Sequence, residues 1–597
     1  MSYVVAGLED RIDQALALGA LQEALQLVQG ALQLHPESGP IAYRHGLVLL
    51  QLNRPHEAFG SFTRAIRLEP LAVDVRVALA RAYLGLNDSW SAAAWISDAC
   101  RVAPTQPALW LELARMLAQQ QRQAEVEPTL RLGLSANPQS HALREMLAEL
   151  LLHARRYADG AAVYHDLVQQ DPGPAVHHLH YGFCLEHTLR LEEAVQQYRA
   201  ALALDGQFLE AHIDLAGVLW RLGDFAGSLR HAERAMAIDP QHPYAVRMLG
   251  TTCLQLGRME EAEAHLRRAL ALQPDFPVAT VDLALTLLLA GRFDEGWQVY
   301  QRRWSDRSRM TRPVFFDPEL EWQGPVLQPL AGKRIMVYAE QGLGDVIHFI
   351  RYARVLQADG ATVYCVIPTQ LVPLVESIPD LVCLKPHLHL EADYHVALLE
   401  LPLLYRSDVV QRSSSAPCEP RYLRAPMDRN DQWRDRLKPW AGKLKVGLAW
   451  AGHAVHPNHH NRSMALSQFK DIIQLAGVQC FSLQKSDGER YTDLGVEDSQ
   501  LVDFTAEWAD FSDSAALIEN LDLVISIDSA VLHLAGALGK TVWAVLPPNP
   551  DWRWLLERED SPWYPSMRLF RRGYAEPRSA QMARVRQALV ELLAARR

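Results

Sequence analysis

The stretch Y-A-E-Q-G-L-G-D-V-I-H-F-I, from Tyr338 to Ile350, joins a short apolar run to a segment with helical periodicity. The apolar run predicts a buried strand, and the glycines at positions 342 and 344 predict a turn. A strand, a glycine turn and a helix start bring free backbone N–H groups together, which favours an anion site. Asp345 would repel an anion in this turn, so it is the first candidate for chemistry. The alternative is that Asp345 only caps the helix, a common role of aspartate.

Beyond residue 333 the chain alternates between apolar runs and helical segments, which predicts α/β structure with parallel sheets flanked by helices. The predicted strands are Ile335–Tyr338, Thr362–Ile367, Tyr394–Leu399, Lys445–Trp450, Gln479–Leu483, Leu523–Ile527 and Thr541–Leu546. The predicted helices are Asp345–Ala358, Leu466–Leu475, Ser514–Asn520 and Ala530–Leu538. A polar stretch, 407–426, divides this block, so we predict two Rossmann-like lobes, residues 333–426 and 427–597. Ligands of such folds bind beyond the carboxyl ends of the strands.

The run I-S-I-D-S-A-V-L-H, from Ile525 to His533, is the clearest candidate binding element of the second predicted lobe. A strand ends at Asp528, and Ser529 then begins a helix rich in small residues. The backbone N–H groups of Ser529 and Ala530 would therefore face an anion. His533 lies in the first turn of this helix, where it could donate to a phosphate or a ribose. The alternative is a capped and tightly packed helix without a ligand.

Further stretches of the second predicted lobe carry polar candidates. Gln484 and Lys485 follow a strand, so the charged lysine side chain would lie at the carboxyl edge of the sheet, where ligands bind. The alternative is a solvated lysine without a ligand. Arg462 ends the loop 450–463, whose histidines at positions 453, 456, 459 and 460 invite comparison with a metal site. No cysteine or acid completes such a set, so we predict no metal. The segment 550–554, P-D-W-R-W, adds planar side chains that could stack on a base or line a sugar pocket.

The first half of the chain repeats with a period of 34 residues. A proline or, once, a glycine recurs near the end of each repeat, at positions 36, 70, 104, 138, 172, 206, 240 and 274. In the repeat from Pro243, Gly250 lets two helices cross closely, Gly257 turns the chain and Pro274 ends the second helix. A fixed period of this length is typical of a repeat array.

The period and its anchors resemble the tetratricopeptide repeat, which implies an α-solenoid with a concave groove over residues 1–304. We count eight repeats, at 5–38, 39–72, 73–106, 107–140, 141–174, 175–208, 209–242 and 243–276, and a looser ninth from Pro277. Such arrays bind extended peptides or partner proteins. In animal protein sugar transferases, a ladder of asparagines at the sixth repeat position holds the peptide backbone. The repeats of this chain have no such ladder, so we do not expect that mode of peptide binding. The alternatives are a structural spacer or an arm for homodimer formation.

Residues 305–332 break the period and predict a linker. Phe315, Phe316 and Trp322 stand among its prolines. Because disordered segments are poor in aromatic residues, we predict that this linker is packed.

Composition restricts the class of protein. The chain has 597 residues, 49% of them hydrophobic, and a net charge of −11, which argues against general nucleic-acid binding. Its seven cysteines form no C-x-x-C pair, which favours a reducing compartment and buried thiols. The N-terminus does not read as a signal peptide, and no apolar run is long enough to span a membrane. We therefore expect a cytoplasmic protein without a membrane span.

From about Lys333 onward the chain resembles bacterial sugar-nucleotide-dependent transferases with the two-lobed GT-B fold. The run G-D-V-I-H from Gly344 is similar to the G-D-V-x-H turn of lipopolysaccharide heptosyltransferases, whose acid is the proposed general base, which implies that role for Asp345. The D-S-A-x-x-H pattern from Asp528 is similar to their nucleotide-sugar diphosphate loop, and Lys485 matches the lysine on the donor phosphate. The order of array and GT-B domain is similar to bacterial flagellin glycosyltransferases and O-linked N-acetylglucosamine transferases.

These resemblances imply a glycosyltransferase that needs no metal or other cofactor and modifies Ser or Thr hydroxyls of a protein, flagellin or another surface protein, recruited by the repeats. Asp345 would be the base. The donor would be held by Gln484, Lys485, Arg462, Asp528, Ser529, Ala530 and His533. The acceptor-side loop would contain Gln341, Gly342, Gly344 and His348. One alternative is a saccharide or lipid acceptor with the repeats as a docking arm, and another is a non-catalytic scaffold.

Overall fold

The computed structural model describes residues 2–305, 312–384, 391–405, 420–452, 458–485 and 500–596. The chain divides into two compact units, an N-terminal unit of residues 1–211 and a C-terminal unit of residues 212–597. The division falls within the repeat array, so the last repeats belong to the same unit as the sheets. In the part of the chain that the structure describes, no helix combines the length and apolarity needed to cross a membrane.

The repeat array consists of helices α1 to α18, taken in successive pairs. Their bounds are Ser2–Ala17, Leu21–Leu34, Gly39–Gln51, Pro55–Leu68, Val73–Gly85, Ser89–Val102, Pro107–Gln119, Gln123–Ala136, His141–His153, Tyr157–Gln170, Ala175–His187, Leu191–Leu204, Leu209–Arg221, Phe225–Ile238, Pro243–Gln255, Met259–Leu272, Pro277–Leu289 and Phe293–Tyr300. Each predicted repeat, including the looser ninth, therefore contains two helices. The prediction of a helical repeat array is confirmed.

Small residues at the eighth position of a repeat let its two helices pack closely. Gly46 of α3 faces the buried ring of Phe62 of α4, and a Cβ added to Gly46 would stand 2.4 Å from that ring. Gly182 of α11 faces Tyr198 of α12 in the same way, at 2.7 Å. A larger side chain at either glycine would have to separate the helix pair, because both rings are fully buried.

The turn between the two helices of a repeat contains one residue with a left-handed backbone. These residues are Gly19, Asn53, Asn87, Gln121, Arg155 and Leu189 in the N-terminal unit, and Gly223, Gly257 and Gly291 in the C-terminal unit. A Cβ on Gly257 would stand 2.6 Å from the ring of Tyr574, and one on Gly223 would stand 3.2 Å from His460. Glycine is therefore required at Gly257 for space as well as for its φ of 76°.

The C-terminal unit continues with two parallel sheets. Strands β1 to β4 are Arg334–Tyr338, Thr362–Val366, Val382–Cys383 and Tyr394–Ala397, and they form a sheet in the order β3-β2-β1-β4. Strands β5 to β10 are Leu444–Ala449, Val478–Ser482, Leu501–Val502, Leu523–Ile527, Val542–Leu546 and Met567–Arg571, and they form a sheet in the order β10-β9-β8-β5-β6-β7. All pairings within both sheets are parallel, as the sequence predicts.

Helices accompany both sheets. Helices α19 to α28 are Leu343–Phe349, Tyr352–Ala358, Val372–Val375, Leu401–Leu404, Met427–Arg436, His459–Arg462, Lys470–Ile473, Phe511–Glu519, Ala530–Ala537 and Arg578–Arg596. Short 3-10 turns include Gln301–Ser305 and Trp552–Trp554. One apolar core runs from α17 and α18 through the first sheet to one face of the second, and a separate core covers the other face.

Several predicted elements need correction. The predicted helix Asp345–Ala358 is two helices, α19 and α20, because the Arg351 guanidinium donates to the His348 carbonyl at 2.7 Å, where a continuous helix would place a backbone N–H. The predicted helix Leu466–Leu475 is a 3-10 turn followed by the short α25. The sequence pattern does not predict the two-residue strands β3 and β7, the strand β10 or the helix α28. The domain boundaries stay predictions.

The described part of the predicted linker, residues 312–332, packs against the first sheet. Trp322 is buried, and its backbone N–H donates to the carbonyl of His395 at 3.0 Å. Phe316 lies against the His395 ring with centroids 4.9 Å apart. The aromatic residues thus hold this segment on strand β4.

We predict that Gly46→Ala destabilises the repeat array by about 1–3 kcal/mol, because the new methyl group must displace the buried Phe62 ring. Gly60→Ala in the neighbouring α4 is the matched control. It faces open space, so it should gain about 0.5–1 kcal/mol from helix propensity. Chemical unfolding of the full chain, followed by circular dichroism, measures both changes. Equal effects at the two positions would contradict this account of the packing.

Candidate active site

Asp345 lies in the first turn of α19, directly after strand β1. The N-cap of this helix is Gly342, and Asp345 is the third residue of the helix. The Gly342 N–H donates to the Asp345 carboxylate at 3.1 Å. The alternative in which Asp345 is the N-cap is therefore wrong in detail, although its carboxylate does satisfy a free N–H of the helix start.

The second partner of Asp345 is Arg553, which lies in the 3-10 turn after strand β9. One terminal nitrogen of Arg553 donates to Asp345, and the other donates to Asp551 at 2.9 Å. The Arg553 side chain is only 7% exposed, whereas the Asp345 side chain is 20% exposed. Burial raises the pKa of Asp345, although the Arg553 charge acts in the opposite direction. The turn after β1 and the turn after β9 thus meet through one ion pair.

Asp528 adds a third carboxylate at the end of strand β8. Burial, with the nearby Asp551 charge, raises the pKa of Asp528 to about 6, although Arg462 and Arg553 both act to lower it. Arg462 also donates to the Asp528 carbonyl at 3.2 Å. We name Asp345, Asp528, Asp551, Arg462 and Arg553 the charged cluster. It holds three carboxylates and two guanidinium groups, so its net charge depends on protonation of the acids.

Two buried histidines lie beside the charged cluster. His348 of α19 and His533 of α27 each contact the Tyr564 hydroxyl through Nδ1 at 2.9 Å. Burial lowers the pKa of both imidazoles well below its usual value, so both are neutral at pH 7. The Nε2 atom of His533 stands 3.8 Å from the Asp528 carboxylate. A neutral imidazole there can act as a hydrogen-bond donor or acceptor but not as a fixed charge.

Helices α19 and α27 approach each other at Gly344. A Cβ on Gly344 would stand 3.0 Å from the His533 ring and 3.6 Å from the Ala530 Cα atom. Gly344 is therefore needed for the two motifs to meet. Ser529 is the N-cap of α27, and its hydroxyl lies 3.2 Å from that of Ser526. The N–H groups of the first turn of α27, from Ala530 onward, have no partner within the helix.

Two predicted donor residues have other partners. The Lys485 ammonium donates to the Trp508 carbonyl at 3.1 Å, and the Gln484 side chain accepts from the Ala451 N–H at 3.0 Å. Neither contact reaches the charged cluster. Gln484 instead links the ends of β5 and β6, and the chain that follows Lys485 lies outside the described residues.

Gln341 and the histidine loop also have defined places. The Gln341 amide donates to the Tyr300 hydroxyl at the end of α18. His459 contacts the Ser463 hydroxyl at 3.0 Å, and His460 lies against Trp220 of the repeat array with ring centroids 5.7 Å apart. His453 and His456 lie outside the described residues. Among the residues that are described, no group of three or more metal-binding side chains comes together.

The sequence missed Arg553, Asp551 and Tyr564 as members of the site. The segment 550–554 was singled out only for its planar side chains, although it contains an arginine two residues after an aspartate. That signal could have suggested an ion pair. Nothing in the local sequence around Tyr564 indicates that two histidines from distant helices share its hydroxyl.

Comparison with protein families identifies the repeats. Models described as "Tetratricopeptide repeat" match residues 207–275, 43–107, 126–175 and 145–207. The chain therefore contains tetratricopeptide repeats, as the 34-residue period predicts.

Curated relatives share part of the chain. Protein FlbA of Caulobacter vibrioides (strain ATCC 19089 / CIP 103742 / CB 15) is 29% identical over 330 residues, which are 50% of this chain and 53% of FlbA. Anaphase-promoting complex subunit 7 of Homo sapiens is 27% identical over 183 residues, which are 30% of this chain and 32% of that protein. The chain thus spans about half the length of FlbA and about a third of the length of the other relative.

Solved structures with similar regions include Naa15/Naa10 bound to HypK-THB. That chain is 16% identical with a TM-score of 0.36, and the match covers 51% of this chain and 50% of that one. YrrB, described as a TPR protein with an unusual peptide-binding site, is 18% identical with a TM-score of 0.28. That match covers 31% of this chain and 95% of YrrB.

We predict that Asp528→Asn is more stable than wild type, and that this difference in stability grows as the pH rises from 4 to 7. The pKa of Asp528 is about 6 in the folded chain and 3.8 ordinarily, so the folded state binds the extra proton between these values. The stabilisation that comes from this proton is therefore complete below pH 3.8 and is lost as the pH rises through 6. Asparagine cannot ionise and avoids that loss.

Thermal unfolding across this pH range measures the difference in Tm between Asp528→Asn and wild type. Asp471→Asn, which removes an exposed aspartate from α25, controls for the general loss of one negative charge. A difference in Tm that stays constant or shrinks with rising pH would contradict the assigned burial of the Asp528 charge.

Proposed function

We propose that the chain is a glycosyltransferase that moves a sugar from a nucleotide-sugar donor to a Ser or Thr hydroxyl of a protein. The observation that carries this proposal is the ion pair between Asp345, which follows strand β1 of the first sheet, and Arg553, which follows strand β9 of the second sheet. It brings a carboxylate, two guanidinium groups and the start of α27 to one location. Two successive parallel sheets are also compatible with the two Rossmann-like lobes of a GT-B enzyme.

In this proposal Asp345 is the general base. The acceptor hydroxyl gives its proton to the Asp345 carboxylate while its oxygen bonds to the anomeric carbon of the sugar. The bond between that carbon and the diphosphate oxygen breaks, and the leaving nucleoside diphosphate keeps the electron pair. A raised pKa suits this task because it makes the carboxylate a better proton acceptor. The partial exposure of Asp345 leaves a route for the acceptor.

The departing diphosphate needs stabilisation of its negative charge. The free N–H groups at the start of α27 and the guanidinium of Arg462 offer it, and both lie next to Asp528. His533 is neutral and could add a hydrogen bond without adding charge. Arg553 is already paired with two carboxylates, so we assign it to holding Asp345 rather than to the phosphate. The reaction as proposed needs no metal.

The repeats supply the partner-binding part of the proposal. Tetratricopeptide arrays provide extended surfaces for peptides and proteins, so the acceptor of this enzyme would be a protein. The N-terminal unit is compact by itself and contains most of the array. A sugar or lipid acceptor would have no comparable need for such a surface.

The second candidate function is a non-catalytic scaffold, and one observation favours it. Both oxygens of Asp345 are engaged, one by Arg553 and one by the Gly342 N–H. Such a carboxylate also fits a purely structural role, in which it joins the two turns. The two functions differ in whether the chain turns over a nucleotide sugar at all.

We predict that Asp345→Asn lowers kcat for sugar transfer by about 10²- to 10⁴-fold, because the amide cannot accept the proton. The affinity for the donor, measured by calorimetry, should stay within about threefold of wild type, since donor contacts lie elsewhere. Asp435→Asn changes an exposed aspartate and should leave both values unchanged. Near-normal turnover in Asp345→Asn would remove Asp345 from the role of base.

We predict that removing residues 1–211 abolishes transfer to the protein acceptor but preserves donor binding. The cut follows the division between the compact units, so it spares the repeats that pack on the sheets. Donor binding by calorimetry serves as the control for folding. Undiminished transfer by the shortened chain would favour a saccharide or lipid acceptor, with the repeats as a docking arm.

A further inference from the structure

We infer that the ninth repeat is part of the candidate active site, and that its Tyr300 and Arg303 are positioning residues for the turn that carries Asp345. This inference rests on the proposed function for its effect on catalysis. It concerns α17, α18 and the following 3-10 turn Gln301–Ser305, all within the C-terminal unit. The ninth repeat is looser in sequence than the others, and the structure gives a physical reason for that difference.

Helix α18 places three aromatic residues on one face. Phe293, Trp297 and Tyr300 recur at helical spacing, and all three are buried. Trp297 packs edge-on against Trp552 with ring centroids 5.2 Å apart, and against Phe349 at 6.0 Å. Trp552 is the neighbour of Arg553 in the same 3-10 turn. The helix therefore packs directly behind the ion pair between Arg553 and Asp345.

The end of α18 also contacts the residues between β1 and α19. The Tyr300 hydroxyl contacts the Gln341 amide, and the Arg303 guanidinium pairs with the Glu340 carboxylate at 2.7 Å. Arg303 also pairs with Glu400 at 2.8 Å, and its side chain is 1% exposed. Residues 340 and 341 immediately precede the Gly342 N-cap, so both anchors act on the turn that sets the Asp345 carboxylate.

These contacts distinguish the ninth repeat from a docking arm. An arm would meet the rest of the protein through a separable surface, whereas Tyr300 and Arg303 contribute polar partners inside the turn. Both acidic partners of Arg303, Glu340 and Glu400, lie outside the repeat. The pair with Glu340 restrains the connection between β1 and α19.

The test compares Tyr300→Phe with Tyr405→Phe. The first variant removes only the hydroxyl that contacts Gln341. The control removes a hydroxyl that donates to Asp359 at 2.6 Å, away from the turn. Hydrogen–deuterium exchange of the full chain, read on peptides that cover residues 340–346, measures the order of the turn. We expect about tenfold faster exchange there in Tyr300→Phe and no change in the control.

Enzyme kinetics supply the second readout. Tyr300→Phe should lower kcat at least about tenfold while KM for the donor changes little, because the base is displaced but the donor site is not. Gln341→Ala removes the same contact by changing an exposed side chain. It replaces Tyr300→Phe in both measurements if Tyr300→Phe does not fold. Faster exchange in the turn with either variant supports the inference, and unchanged exchange in both overturns it.

The exchange readout does not depend on activity. If the wild-type chain turns over no nucleotide sugar while the turn still loosens in Tyr300→Phe, the positioning role stands and the proposed function falls. If turnover is present and the turn does not loosen, the proposed function stands and the positioning role falls. The two failures are therefore distinguishable.

Discussion

The buried guanidinium of Arg553 is the constraint on which the C-terminal unit depends. A buried charge must be paired, and breaking such a pair costs about 3–5 kcal/mol. Its partners are Asp345, after strand β1, and Asp551, after strand β9. The turns that follow two different sheets are thereby held together at one point. The same pairing favours the ionised form of Asp345, the residue to which we assign the chemistry, against the effect of burial on its pKa.

The repeat array and the sheets are fitted to each other within this unit. The left-handed turn residue is glycine in each of the last three repeats, at Gly223, Gly257 and Gly291, where side chains from the sheet region come close. Behind the charged cluster, Arg303 carries a second buried charge into the β1–α19 connection. The last three repeats thus contact the sheet region, and the ninth of them lies behind the candidate site.

Periodic and local signals in the sequence predicted most of the fold. The 34-residue period predicted the helix pairs, and the strand Leu523–Ile527 has the predicted bounds, because a continuous apolar run between turn residues leaves little choice. The break between α19 and α20 could not be predicted, since it depends on the Arg351 side chain competing for the His348 carbonyl. Likewise, Asp345 and His533 were predicted as candidates, but Arg553 was missed because its partner lies 208 residues away.

The proposed function depends on a donor site formed by Arg462 and the start of α27, next to Asp528. The most direct measurement is thermal unfolding of the full chain in the presence of each member of a panel of nucleotide sugars. A ligand that binds only the folded state raises its stability by about 2.7 kcal/mol at a concentration of 100 times Kd. We expect that at least one nucleotide sugar raises Tm, and that Arg462→Leu abolishes the increase. No increase with any nucleotide sugar would contradict it.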